Sequence, residues 1–321
     1  MELFIPIFNQ MMFLFAFIAI GLILSKCKFL PDDAAKTISK LENMIFVPCL
    51  AMYTFIQNCN IGILSSVWKI LVLAFVMVLL LIPISTFVAK ICFKENYLRK
   101  IATYGLTFSN FGFMGNAIMN AIFPEIFFEY TIFTLPFWFM IYLWGVPVLL
   151  ISNDTIEKVS FSKRVKAFLN PMLIAMFIGL ILGITGWGLK LPSGILSVIK
   201  VSGDCMSPLA MLLTGITIGQ TDILALIKKW RIYLTVSIRL LVYPLVLLLI
   251  LMLLPQNSFF TSTFFRCAMC MVSMPMGLNA IVVPAAYGRD TTDAAGLALV
   301  SFFFSIGTIP LMFMLLEFVI I

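Results

Sequence analysis

Histidine is absent from all 321 residues, and charge is scarce, with Asp, Glu, Lys and Arg making up 11% of the chain. Without an imidazole, the commonest acid, base and metal ligand near neutral pH is missing. The H-E-x-x-H zinc helix and the glycine-rich phosphate loop ending in Lys-Ser or Lys-Thr are missing too, which argues against a membrane-embedded enzyme. Seven cysteines occur. Cys49, Cys92, Cys205, Cys267 and Cys270 fall in apolar runs, where a thiol behaves as a small hydrophobe. Cys267 and Cys270 form C-x-x-C without a second pair, so no disulfide, metal or cofactor is expected. A basic leader is also lacking. Only Glu2 precedes the apolar run that opens at Leu3, which reads as a retained first span.

What the chain does have is hydrocarbon, at 62% hydrophobic residues. That composition belongs to a polytopic membrane protein. Apolar runs of about 20 residues predict ten helices, over 5–25, 38–57, 67–92, 101–122, 129–151, 168–188, 195–219, 231–254, 262–286 and 293–319. The net charge of +7 does not signal nucleic acid, because the basic residues lie in short loops and base-stacking aromatics are not interleaved with them. Sixteen of the 21 Lys and Arg fall in alternate loops, against Lys69, Lys190, Lys200 and Arg266 on the opposite side. By the positive-inside rule this predicts a multi-pass protein of the plasma (inner) membrane with both termini outside the cytoplasm.

The halves of the chain repeat. Ile20-Gly-Leu-Ile-Leu24 returns as Ile178-Gly-Leu-Ile-Leu182, Pro48-Cys-Leu-Ala-Met52 as Pro208-Leu-Ala-Met211, and Asn116-Ala-Ile118 as Asn279-Ala-Ile281. The order is kept and the offsets are close. Five spans per copy is an odd number, so the second copy enters the bilayer from the other face. The organisation predicted is a first five-helix repeat at 1–152, a charged cytoplasmic linker at 153–167 and a second, inverted five-helix repeat at 168–321.

Two predicted spans carry residues that a stable span avoids. The fourth contains Phe108-Ser-Asn-Phe-Gly-Phe-Met-Gly-Asn116, and the ninth contains Ser273-Met-Pro-Met-Gly-Leu-Asn279. A helix broken in hydrocarbon frees backbone groups, each costing several kcal/mol unless protein, water or a ligand takes them up. Paired breaks at corresponding places are the pointer to a transporter's midplane site. Asn110, Gly112, Gly115 and Asn116 on one side, and Pro275, Met276, Gly277 and Asn279 on the other, are the candidate substrate-binding residues. Half-helix N-termini there would suit a carboxylate. The plainer alternative is two kinked helices packed closely by small residues.

Intramembrane charge is restricted to a few positions. Glu42 precedes Pro48, and Asp204 precedes Pro208 in the repeat-related span. Both are candidates for proton or Na⁺ coupling, with headgroup exposure or pairing to Lys40 as the alternative. Arg239 lies inside the eighth predicted span. It is a candidate charge partner for an acid or for a substrate carboxylate, unless it snorkels to the headgroups.

Asn110-Phe-Gly-Phe-Met-Gly115, Pro208-Leu-Ala with Gly215, and Met274-Pro-Met-Gly-Leu-Asn279 running on to Ala286-Tyr-Gly-Arg-Asp290 together resemble the auxin efflux carrier family. That family includes the plant PIN-type carriers and the bacterial malate-permease-type transporters, and the resemblance covers essentially the whole chain. It implies an all-α membrane protein of ten helices in two inverted five-helix repeats, with helices four and nine crossing at broken points. A scaffold domain would stand beside a transport domain, and a small organic anion would bind near the crossing. Asn110 and the stretch from Pro275 to Asn279 would line that site. Here the chain has Asn116-Ala117 where members often carry a proline after the glycine matching Gly115. The function expected is a permease working by alternating access, with a channel or sensor as the other membrane reading. Partners are the anion, H⁺ or Na⁺, the lipid bilayer and, as a homodimer, a second copy of the chain.

Overall fold

The computed structural model describes residues 3–59, 61–151, 171–220, 229–286 and 292–320. The expected linker at 153–167 and the residues from Tyr287 to Asp290 lie outside them. Among the described residues the chain is helical throughout, without a strand. Six helices are long and apolar enough to cross a bilayer: Phe4–Lys26, Val67–Cys92, Pro124–Leu150, Ser193–Gly219, Trp230–Leu253 and Asp293–Ile320. They coincide with six of the ten expected spans. The other four deviate for local reasons. The second starts with the polar helix Ala34–Leu41 and passes through a π-helical turn, Glu42–Phe46, ahead of Pro48. The sixth is described only over Pro171–Ile184. The fourth and ninth are interrupted.

Lipid-facing surface is recognisable from exposed Leu253, Phe318, Ile91 and Phe87, side chains that water would not tolerate in such density. Inside, the tightest packing is made through glycine. Phe4–Lys26 lies against Met206–Gly219, where a Cβ on Gly21 would strike the Leu212 carbonyl and one on Gly215 the Ile18 carbonyl. Val47–Asn58 lies against Pro171–Ile184, where a Cβ on Gly179 would sit 2.7 Å from the Met52 carbonyl. With little difference between lipid and side chain to drive association, close backbone approach is what holds such pairs. The two copies of Ile-Gly-Leu-Ile-Leu thus make matching contacts, each setting its glycine on the backbone of a segment that carries the Leu-Ala-Met motif.

The fourth predicted span consists of the helix Asn96–Thr107, an extended stretch, a π-helical turn Phe111–Gly115 and the helix Asn116–Ile122. The ninth consists of the helices Ser262–Ser273 and Asn279–Ala286 with an extended stretch between them. Ser262–Ser273 starts on Thr261, whose hydroxyl accepts the Phe264 N–H at 3.2 Å. It ends because Met274 precedes proline and is driven to extended backbone, φ −67° and ψ 146°.

Candidate functional site

The two interruptions meet. Ser109 and Met276 form an antiparallel β-bridge. The Asn110 N–H donates to the Pro275 carbonyl at 2.7 Å, and the Gly277 N–H donates to the Phe108 carbonyl at 3.3 Å. Backbone groups freed by the breaks are therefore taken up by each other, as hydrocarbon surroundings require. Gly277 permits the approach: a Cβ there would lie 3.1 Å from both the Phe108 and Ser109 carbonyl oxygens. Pro275 supplies a carbonyl to the pairing while its missing N–H leaves nothing unsatisfied. The Met276 N–H donates to the Ser301 hydroxyl at 3.2 Å, anchoring the crossing to the last helix.

The carbonyl ends of the two leading half-helices are capped by one side chain. Arg239, 2% exposed, donates from Nη1 to the Leu106 carbonyl at 2.8 Å, from Nη2 to the Met271 carbonyl at 2.8 Å and from Nε to the Met274 carbonyl at 3.2 Å. Ser109 Oγ donates to the same Met271 carbonyl at 2.7 Å. Arg239 therefore neither snorkels nor pairs with Asp204. It faces main chain.

The amide side of the crossing is furnished differently. Asn110 is 2% exposed, yet neither Oδ1 nor Nδ2 meets a partner among the described residues. A buried amide without partners costs roughly 1–3 kcal/mol and calls for an explanation. Asn116 turns its Nδ2 to the Gly112 carbonyl at 2.7 Å. Asn279 lies beside the Tyr104 side chain. Gly112 and Gly115 are filled from the neighbouring helix: a Cβ on Gly112 would overlap the Trp138 ring, and one on Gly115 the Tyr130 hydroxyl. Tyr130 also donates to the Phe111 carbonyl at 3.0 Å, holding the π-helical turn in place. Tyr104, Tyr130 and Ser109 are thus site residues that the motif search passed over. Their signal was a phenol or hydroxyl inside an apolar run, where a polar tip must find a partner.

Beside the crossing, a cavity of about 20 Å³ is bounded by Thr54, Asn116, Thr131, Thr134 and Trp138, with Met172 closing it. A second, of about 10 Å³, lies between Gly105, Arg239, Met276 and Ser301. A single water needs about 10–15 Å³ of such space, so neither holds an organic molecule as it stands. The first lies where the Val47–Asn58 and Pro171–Ile184 pair faces the Asn116–Ile122 and Phe127–Met140 helices.

The two acids differ. Asp204 is half exposed and pairs with Lys200, four residues earlier, at 2.6 Å. Glu42 is 0% exposed, and neither carboxyl oxygen has a hydrogen-bond partner among the described residues.

Interrupted apolar helices that cross by backbone pairing, beside a buried amide without a partner among the described residues, are the features of a multi-pass membrane protein with a polar break inside its apolar helices. The model of the membrane transport protein family, that of the auxin efflux carriers, matches residues 6–313, and the chain belongs to this family. It is a multi-pass membrane transporter of a family that is not enzymatic. Comparison with curated proteins yields no match.

Proposed function

We propose that the protein is a secondary transporter moving a small organic anion, a carboxylate in the first instance, across the plasma membrane by alternating access. The observation that carries this reading is Asn110: a buried amide with both polar atoms free, at the amide ends of two interrupted helices. Such ends hold roughly half a positive charge each, with the Ala280 and Ile281 N–H groups of the second already turned to the Gly277 and Leu278 carbonyls at 3.2 and 2.9 Å. A carboxylate there would take the Asn110 amide, with Asn116 and Asn279 turning from Gly112 and Tyr104 to join it.

The architecture that goes with this function is ten helices in two inverted repeats of five, joined through 153–167, with both termini outside the cytoplasm. The matching glycine contacts of the two halves support it. So does the bond between Ser85 Oγ and the Tyr243 hydroxyl at 3.2 Å, since positions 158 residues apart meet near the axis such repeats would share. The Val47–Asn58, Pro171–Ile184 and Phe4–Lys26, Met206–Gly219 pairs form the scaffold, and the crossing helices move against it. The cavity at Thr54 and Asn116 lies on that boundary and opens when the two parts shift. Glu42 is the coupling site favoured by its burial, with H⁺ or Na⁺ as the ion, and Asp204 is its exposed counterpart.

Uptake into proteoliposomes tests the reading. A panel of carboxylates under imposed pH or Na⁺ gradients should show saturable counterflow for at least one member. Ohmic single-channel currents, or no carboxylate transport under any gradient, would refute it.

A further inference from the structure

The crossing gathers four helix ends, and its charges are unevenly answered. Two are carbonyl ends, at Thr107 and Ser273, and each carries about half a negative charge. Two are amide ends, at Phe111 and Asn279, and each carries about half a positive charge. Left alone, the four would nearly cancel, and the crossing would favour neither sign. Arg239 breaks the balance. Its guanidinium bonds to three carbonyls drawn from both carbonyl ends and is fully buried with them. No carboxylate answers it among the described residues. Asp293 pairs with Lys229, Glu317 pairs with Arg266, and Glu129 lies in the first turn of its own helix. The first turns of both amide-end segments contain no acid either.

We propose that Arg239 fixes the sign of the site: by saturating the carbonyl ends of both interrupted helices, it leaves the amide ends uncompensated, and an anion is selected by a residue that does not touch it. Arg239 is in this sense a positioning and selectivity residue. The bonds it makes suit arginine, since a planar fork with several donors reaches carbonyls on two helices at once, whereas the ammonium of lysine would keep the charge with fewer of those bonds. The Asn110 amide, buried without a partner among the described residues at the N-cap of the Phe111–Gly115 turn, is the independent sign that the uncompensated end receives a ligand. The inference rests on the functional reading above for the word anion, but the positive potential itself can be measured without any substrate.

The test places a thiol at the amide end, as Asn279→Cys, and follows its alkylation against pH by peptide mass spectrometry in purified protein. A positive site favours the thiolate, so the peptide carrying position 279 should reach half-reaction at lower pH than the native Cys205 peptide. Adding Arg239→Gln should move that midpoint up by about one pH unit, the order expected for losing one nearby buried charge at an effective dielectric of about 20. Arg239→Lys, which keeps the charge, should recover most of the shift even where it lowers thermal stability. A midpoint unmoved by Arg239→Gln, or a thiol at position 279 no more acidic than Cys205 in the Arg239 background, would overturn the proposal. The second comparison stands even if Arg239→Gln does not fold. In protein that keeps Asn279, stabilisation by benzoate but not benzamide is expected, and Arg239→Gln should abolish the difference. Absence of stabilisation by any carboxylate with the thiol shift intact would count against the anion transporter reading alone.

Discussion

The glycine-packed helix pairs and the crossing solve the same problem in opposite ways. Around Gly21, Gly179 and Gly215, the helices are continuous, every backbone bond is internal, and apolar surfaces meet with no room for a Cβ. At the crossing, the helices are cut, the chains pair as a two-residue bridge, and polar side chains are buried among the cut ends. The first arrangement spends nothing on solute and can be rigid. The second keeps one amide, that of Asn110, without any partner among the described residues. A protein that carried only the first would be a stable bundle with no work to do. On the proposed function, stability belongs to the first region and transport to the second, and substitutions should separate the two.

The largest effect is expected at Gly215. Replacement by Leu would drive a side chain into the Ile18 carbonyl and the Leu22 amide, and backbone cannot yield as a flexible side chain does. Overpacking of this kind costs about 1–3 kcal/mol or more. Loss of the monodisperse peak in size-exclusion chromatography should result, whereas Gly194→Leu, with nothing within 4 Å, should leave the peak intact. At the crossing the order reverses. Asn110→Ala removes no hydrogen bond, so melting should move little or upward, while carboxylate counterflow should fall at least about tenfold, the equivalent of one lost hydrogen bond to a charged group. A mutant that transports normally would detach Asn110 from the site.

Glu42→Gln should sharpen the comparison at the scaffold. Exchanging a carboxyl without partners for a neutral amide of the same shape should preserve or raise thermal stability by about 1 kcal/mol. It should also make uptake indifferent to an imposed pH or Na⁺ gradient. Unchanged gradient dependence would remove Glu42 from coupling. The smallest effect belongs to Asp204→Asn. It breaks an exposed pair at four-residue spacing, so stability should change by no more than about 0.5 kcal/mol, measured by the same melting assay.

The breaks were legible because glycine, proline and asparagine inside apolar runs contradict what a span needs, and the meeting of Phe108–Asn110 with Met274–Gly277 follows from having two of them. The pentapeptide that carries Gly21 and Gly179 was legible as a repeat, whereas the seating of its glycine on a facing backbone was not. Arg239 was visible as a cation inside a span, but neither its burial nor its partners were, since those partners are main-chain carbonyls, every residue has one, and no side-chain pattern points to them. The roles of Gly112 and Gly115 were hidden for a related reason: Trp138 and Tyr130 fill them from another helix. The burial of Glu42 depends on how helices from both halves close over it, which no local stretch encodes. For Asp204 the clue was present but unused: Lys200 stands one helical turn away, a spacing at which opposite charges pair.

The bridge between Ser109 and Met276 has a mechanical consequence. Two chains laced together at their thinnest points, with one guanidinium clasping the ends of both, cannot slide past each other without breaking contacts that hydrocarbon would leave unreplaced. On the alternating-access proposal, the crossing therefore moves as one body. Amide hydrogens at Asn110 and Gly277 should be among the slowest in the molecule to exchange with deuterium, in a place where the helices themselves are interrupted.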